Sequence, residues 1–246
     1  MILKMLQESE SLLVNDLIAK FSESPATIRK DLTFLEKNGL IRRTRGEAHY
    51  ANPQLVLPVT SRGELNTLSK SNIARIAASM IEDDDSIILD SGTTTLAIAR
   101  QIANRKKINV ITNSIAIAYT LSGSELSVVM TGGILSGRNL SLIGPDAEAF
   151  FNKIEVNKLF LSASGVRGAQ GLCVASPFEC SIKKQMIRSA KKVIAVIDSS
   201  KFETSSINIV TDFSSIHCLI TNRPIADPSI LEALHQYNVE TLYSDA

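Results

Sequence analysis

Glycine and threonine come together in the run IILDSGTTTLAIARQI (87–102), where an apolar stretch is followed by an acid, a glycine, three threonines and a helical pattern. Residues of these types at the start of a helix put free backbone amides and hydroxyls where an anion such as phosphate can sit, without any side-chain charge. Asp90, Ser91, Gly92, Thr93, Thr94 and Thr95 are thus candidate ligand-binding residues, with Gly92 letting the backbone approach a ligand closely. The same run also suits a threonine-capped helix that binds nothing. Further polar groups follow other apolar runs: Thr112, Asn113 and Ser114 after INVIT, Gly132 and Gly133 after LSVVMT. Each fits ordinary turn chemistry, but their recurrence at successive strand ends favours a pocket. Glu179, Lys183, Asp198 and Lys201 are the types that sugar-phosphate isomerisation needs, a base beside a carbonyl and a cation for the enediolate. Their plainer readings are a helix-terminal acid, an exposed helix lysine and a strand-end salt bridge that pins the loop VIDSSKF.

The elements that must position these residues are legible as alternation. Apolar runs at 86–90, 108–112, 126–131, 158–163, 192–198 and 217–221 are continuous enough for strands buried on both faces. Amphipathic stretches separate many of them: Ile73, Ile76, Ala77 and Met80 share one helical face, and Ile182, Met186 and Ala190 another. The expectation is a mostly parallel α/β domain over 69–246. Residues 1–50 read instead as helices and a hairpin, and the Pro53, Pro58 and Gly63 of 51–68 suit a linker.

In the first part, Ser24 predicts an N-cap, Pro25 the first helical position and Gly39 the stop. Ile28, Leu32 and Leu35 form the buried stripe of that helix, while Ala26, Lys30, Thr33 and Lys37 point away and Thr27 and Arg29 flank them. A shorter helix in LLVNDLIAKF, burying Leu13, Leu17 and Phe21, precedes it at helix-turn-helix spacing. LIRRTRGEAHY alternates as a β-hairpin wing with a turn near Gly46. From Arg29 to Arg45 six basic residues (Arg29, Lys30, Lys37, Arg42, Arg43, Arg45) stand against the acids Asp31 and Glu36. A soluble helix face would look similar, but arginines crowding a short hairpin beside it favour DNA. Ala26, Thr27, Arg29, Lys30 and Thr33 suit base readout, and Lys37, Arg42, Arg43 and Arg45 phosphate contacts.

The whole-chain charge of +1 provides no long-range field, so this basic cluster is the electrostatic signal. With 44% hydrophobic residues, 246 residues can bury substantial cores. Cys173, Cys180 and Cys218 are odd in number and form no CxxC pair, which suits structural thiols in a reducing compartment. His49, His217 and His235 lie at no zinc-ligand spacing with them, so neither metal nor cofactor is expected. The absence of a signal-peptide pattern or a membrane-length apolar run leads to the cytoplasm.

The string SxxTIRKDLxxLExxGLIRRxRGEA (24–48) resembles the N-terminal signature of the DeoR family of bacterial transcription regulators. That family's form usually ends in two glycines; here Glu47 replaces the second. Only MILKMLQ precedes the second helix, and the resemblance implies further residues upstream. In the remainder, DSGTTT, TNS, MTGG, Gly171-Leu172, FECSIKKQMI and DSSKF appear in family order, with Ser181 where the family often has an acid. The resemblance implies a sensor domain folded like ribose-5-phosphate isomerase and the glucosamine-6-phosphate deaminase group. It implies a phosphorylated sugar on Gly92–Thr95, with Asn113, Gly133, Glu179 and Lys183 at or near the sugar. The resulting expectation is a non-catalytic, sequence-specific DNA-binding regulator, a repressor of a carbohydrate operon, acting on operator DNA as a dimer or tetramer. The alternative is an isomerase-like enzyme with an appended helix-turn-helix.

Overall fold

The computed structural model describes residues 2–9, 11–21, 23–37, 41–44, 46–50 and 66–244. The chain divides into two compact units, 1–62 and 63–246. Most of the expected linker, 51–65, lies outside the described residues, and its last two positions, Thr67 and Leu68, already belong to a helix.

The head runs α1 (Ile2–Ser9), β1 (Ser11–Leu13), α2 (Val14–Lys20), α3 (Pro25–Lys37), β2 (Ile41–Thr44) and β3 (Glu47–Tyr50). Ser24 caps α3, its Oγ accepting from the Thr27 amide at 3.1 Å, and Pro25 takes the first helical position. The expected stop at Gly39 lies outside the described residues. Ile28 and Leu32 are fully buried, against Leu6, Leu17, Ile41 and Ala48, with Leu35 at the margin. One expectation fails: Leu13 is not buried in a helix but half exposed in β1, which pairs antiparallel with β3 and makes a three-stranded wing, β1-β3-β2. The apolar pair Leu12-Leu13 was read at helical period, whereas the wing's open edge recruits it as a strand. Val14 and Leu17 supply the buried face of α2 instead.

The second unit runs α4 (Thr67–Ser79), β4 (Ser86–Leu89), α5 (Thr93–Ile102), β5 (Asn109–Thr112), α6 (Ile115–Leu121), β6 (Ser127–Met130), β7 (Ile134–Ser136), β8 (Ser141–Ile143), α7 (Pro145–Phe151), β9 (Val156–Leu161), β10 (Gly165–Val166), β11 (Leu172–Val174), α8 (Pro177–Arg188), β12 (Ala190–Val196), β13 (Asn208–Thr211), β14 (Cys218–Thr221), α9 (Pro228–Gln236) and β15 (Glu240–Tyr243). All six expected strands are present within a seven-stranded parallel sheet of order β15-β14-β12-β9-β4-β5-β6. Ala190, expected on a helical face, opens β12. Successive side chains of β4 serve opposite layers: Ile87 and Leu89 pack with α4, α5 and α6, and Ile88 packs with α7, α8 and α9.

The chain starts near the sheet's middle, lays β4, β5 and β6 outward on one side, then returns to lay β9, β12, β14 and β15 on the other. The crevice between the carboxyl ends of β4 and β9 is therefore the topological switch point, where open sheets of this kind bind ligands. At the opposite end the Lys158 ammonium holds Asp85 at 2.5 Å and ties β9 to the entry of β4. The cysteines are all buried and free; burial pushes the Cys218 thiol up to about 11 and raises that of Cys173 as well. Thiols held protonated in this way are poor nucleophiles at neutral pH.

Because Ser24 alone supplies a capping side chain to the first turn of α3, Ser24→Ala should lower the stability of the head by about 1 kcal/mol. Thermal unfolding followed by circular dichroism checks this, with the second unit's transition as the internal reference.

Candidate effector site and nucleic-acid interface

At the switch point Asp90, fully buried, follows β4. Its Oδ2 accepts from the Ser162 amide at 2.9 Å, from the Ser162 hydroxyl at 2.7 Å and from the Lys183 ammonium. Lys183, on the second turn of α8, also donates to the Ser162 carbonyl at 3.1 Å. One ion pair therefore joins the ends of β4 and β9 to α8. Lys183 is not the exposed helix lysine of the plainer reading, because the sheet ends close over it. Asp90 Oδ1 has no partner among the described residues and is shielded from solvent.

Gly92 caps α5 without a side-chain hydrogen bond, so the amides of the helix's first turn keep their donors. The structure adds a packing reason for glycine here. A Cβ at position 92 would lie 2.4 Å from Ser162 Oγ and 2.9 Å from Ser162 Cβ, so the close approach to the residue that follows β9 already requires glycine. Thr95 is corrected: its buried hydroxyl donates to the Asp90 carbonyl at 2.5 Å and the Gly92 carbonyl at 3.0 Å, so it braces the loop from inside. The hydroxyls of Ser91, Thr93 and Thr94 remain as candidates, those of Ser91 and Thr94 on buried residues.

Asn113 closes the next strand end. Its amide group donates to the Leu142 carbonyl at 3.0 Å, its own carbonyl accepts from the Leu142 amide at 2.7 Å, and its Oδ1 is buried without a partner. Ser114 caps α6, accepting from the Ile117 amide at 3.4 Å. The β7–β8 hairpin, invisible to the alternation argument because both strands have three residues, is thereby fastened to the end of β5. Gly133 stands at φ +123°, and a Cβ there would meet the Ile143 carbonyl at 2.6 Å; glycine is required where β7 turns back toward α7. Gly132 borders open space.

Glu179, in the first turn of α8, is buried and accepts from the Asn139 amide group, while Ser176 caps the helix. Asn139 belongs to the hairpin tip and escaped the sequence reading, since a lone asparagine in SGRNLS looks like turn chemistry. Asp198 faces other partners: its Oδ1 accepts from Ser200 Oγ at 2.5 Å and from Asn66 Nδ2 at 3.1 Å. It thus secures the VIDSSKF loop, and does so to the start of α4. The carboxylates of the isomerase alternative are each committed to a structural tie.

In the head, Ala26, Arg29 and Lys30 are exposed along the first turns of α3 and Thr27 is half buried, its hydroxyl 2.8 Å from Ser24 Oγ. Thr33 and Arg43 differ from expectation. Arg43 donates to the Thr33 hydroxyl at 3.1 Å and stands 3.7 Å from Glu36, while Thr33 donates to the Arg29 carbonyl at 2.8 Å. These two tie the wing to α3 instead of presenting free groups, because alternation along β2 puts Arg43 on the face of the buried Ile41. Arg42 pairs in register with His49, whose Nε2 lies 3.0 Å from Thr44 Oγ1 and 3.2 Å from Glu47. Glu47 thus begins β3 without disturbing the turn, which passes through Gly46 at φ +90°. The side chains of Lys37 and Arg42, and all of Arg45, lie outside the described residues.

A winged helix-turn-helix with exposed cations on its second helix, joined to a parallel α/β unit with polar groups gathered at its switch point, defines a regulator made of a DNA-binding head and a sensor. The DeoR-like helix-turn-helix domain matches residues 1–54 and the DeoR C terminal sensor domain matches 65–223; the chain belongs to the DeoR family of transcriptional regulators. The transcriptional repressor AccR of Agrobacterium fabrum is 34% identical over 224 residues, 90% of this chain and 87% of that one. A putative aga operon transcriptional repressor of Escherichia coli O157:H7 is 34% identical over 245 residues, 98% and 91% of the two chains. Among solved structures, ribose 5-phosphate isomerase A from Methanocaldococcus jannaschii aligns over 55% of this chain and 54% of its own, with 18% identity and a TM-score of 0.41. The relatives are named as regulators rather than enzymes, and no helix among the described residues is long and apolar enough to cross a membrane.

Removing one partner of a buried ion pair strands the other's charge. Lys183→Met should therefore destabilise the sensor unit by about 3–5 kcal/mol, whereas Lys183→Met with Asp90→Asn should recover most of that loss. Denaturant unfolding of the two variants tests the coupling, and equal stabilities would refute it.

Proposed function

We propose that this regulator represses a carbohydrate-utilisation operon in the cytoplasm and that a phosphorylated sugar, bound at the switch point of the sensor, controls its hold on operator DNA. The observation that carries the reading is the start of α5, which has no side-chain cap, together with two buried acceptors that have no donor among the described residues, Asp90 Oδ1 and Asn113 Oδ1. A helix N-terminus suits the phosphate, and orphaned carboxylate and amide oxygens suit the hydroxyls of a sugar. Glu179, with Ser91, Ser114, Gly132 and Gly133 around it, completes the proposed lining. The family relatives named as repressors, one of them for the aga operon, support repression of a sugar operon.

On the DNA side, Arg29, Lys30, Ala26 and Thr27 read bases from the start of α3, while Lys37, Arg42 and Arg45 meet phosphates. Two heads on two half-sites require at least a dimer. The sugar phosphate acts by binding the DNA-competent and incompetent arrangements unequally; a 100-fold loss of DNA affinity corresponds to a coupling of about 2.7 kcal/mol. The deciding experiment is fluorescence anisotropy of the full chain on the DNA upstream of its own gene, at two salt concentrations, with and without a panel of sugar phosphates. Release or tightening by one compound supports the reading. Indifference to every compound, with DNA bound, removes the sugar-phosphate assignment, and turnover of any compound would favour the isomerase alternative.

Arg29→Ala should weaken specific binding by about 1–3 kcal/mol with a much smaller effect on random DNA, measured by competition at fixed salt. Thr94→Val should leave operator affinity unchanged and shift the sugar-phosphate titration midpoint at least tenfold. An unmoved midpoint would take the loop out of the site.

A further inference from the structure

β6 ends the parallel sheet on one side and, among the described residues, pairs only with β5, so its outer backbone donors and acceptors have no ladder there. Its sequence, SVVM, carries none of the charges or prolines that usually blunt such an edge, whereas β15 at the other end carries Glu240. Around it stand large exposed apolar side chains: Val129 at 40% and Met130 at 37% on the strand, Ile134 at 66% and Leu135 at 55% on β7, and Tyr119 at 82% on α6. The hairpin that carries Ile134 and Leu135 is held rigidly by Asn113 and by the Ser114–Ser141 bridge, so this surface is built rather than loose.

We propose that this face is the interface with a second copy of the chain, the two β6 edges running antiparallel about a two-fold axis normal to the sheet at Val129. The proposal rests on the operator reading above, since a two-fold operator calls for a two-fold protein. Three features favour a second copy as the occupant. About such an axis, paired residues lie on the same face, so Val129 meets its own symmetry mate and Val128 stands opposite Met130. An axis at Val128 would instead set Ser127 against Val129, leaving a polar group opposite an apolar one. The five residues expose roughly 550 Å² per copy at the quoted exposures, on both sides of the edge, so about 1,100 Å² in the pair is the most they can bury, the lower bound of a specific interface. None of the five carries a charge, so two identical faces meet without repulsion.

The test compares the full chain with Val129→Lys/Ile134→Lys and with a control, Leu231→Lys, on the exposed side of α9. Sedimentation velocity at micromolar concentration should give a dimer or a multiple of one for the wild type and the control. The double variant should give a species of half that mass or less, with unchanged circular dichroism and melting. A second route uses the burial of the native thiols: Val129→Cys should be captured as a covalent dimer by a short thiol-specific cross-linker, and Leu231→Cys should not. A wild type that is monomeric, a double variant that keeps the wild-type mass, or a Val129→Cys chain that yields no covalent dimer each overturns the interface; if the double variant misfolds, the cross-link decides. None of these measurements contains DNA or sugar. An assembled wild type that ignores operator DNA fails the regulator reading alone, and an operator-binding, sugar-responsive chain whose β6 variants stay assembled fails the interface alone.

Discussion

The sensor unit is organised around the ion pair of Asp90 and Lys183. The carboxylate sits at the end of β4, fully out of water, where a lone charge would be strongly disfavoured. Lys183 and the Ser162 amide and hydroxyl answer it together, and in doing so they bind the last residues of β4 and β9 to α8. A buried pair of this kind contributes little net stability, because desolvation offsets most of its attraction, but losing one partner leaves an uncompensated charge where three elements meet. Gly92 follows from the same constraint. With Ser162 drawn onto Asp90, only hydrogen fits between residue 92 and β9.

That arrangement separates the groups that build the loop from those that remain available. Oδ2 of Asp90 is spent on Ser162 and Lys183, the Thr95 hydroxyl on carbonyls of its own loop, and the Asn113 amide group on the Leu142 carbonyl of β8. Oδ1 of Asp90, Oδ1 of Asn113 and the first-turn amides of α5 are not. A buried acceptor without a donor is destabilising by itself, so a site that keeps two of them beside an uncapped helix is suited to a ligand that brings hydroxyls and an anion together. The head shows the same economy: Thr33 and Arg43 hold wing and helix in register, which leaves Arg29 and Lys30 to face outward from a braced platform.

Charge enters function only locally. With a net charge of +1 the chain has no long-range attraction for DNA, and six of its basic residues cluster between Arg29 and Arg45. Arg43, on the edge strand β2, is held by Thr33 and Glu36, whereas Arg29 and Lys30 stay exposed on α3.

The amino-acid order by itself determined the two-part organisation, the capped α3, the six parallel strands and the loops at their carboxyl ends. These rest on local rules: a serine before a proline starts a helix, and continuous apolar runs between amphipathic stretches make buried strands. It also brought Asp90, Thr94, Asn113, Glu179 and Lys183 into one list of candidates. Only the tertiary structure decided what each of them does. That Lys183 is buried against Asp90 depends on a contact across 93 residues of chain, and that Gly92 yields to Ser162 depends on strand order, neither of which any local pattern encodes. The short strands β1, β7 and β8 were illegible for a related reason: three residues carry no periodicity, and the ladders that make them strands are supplied by partners elsewhere in the fold.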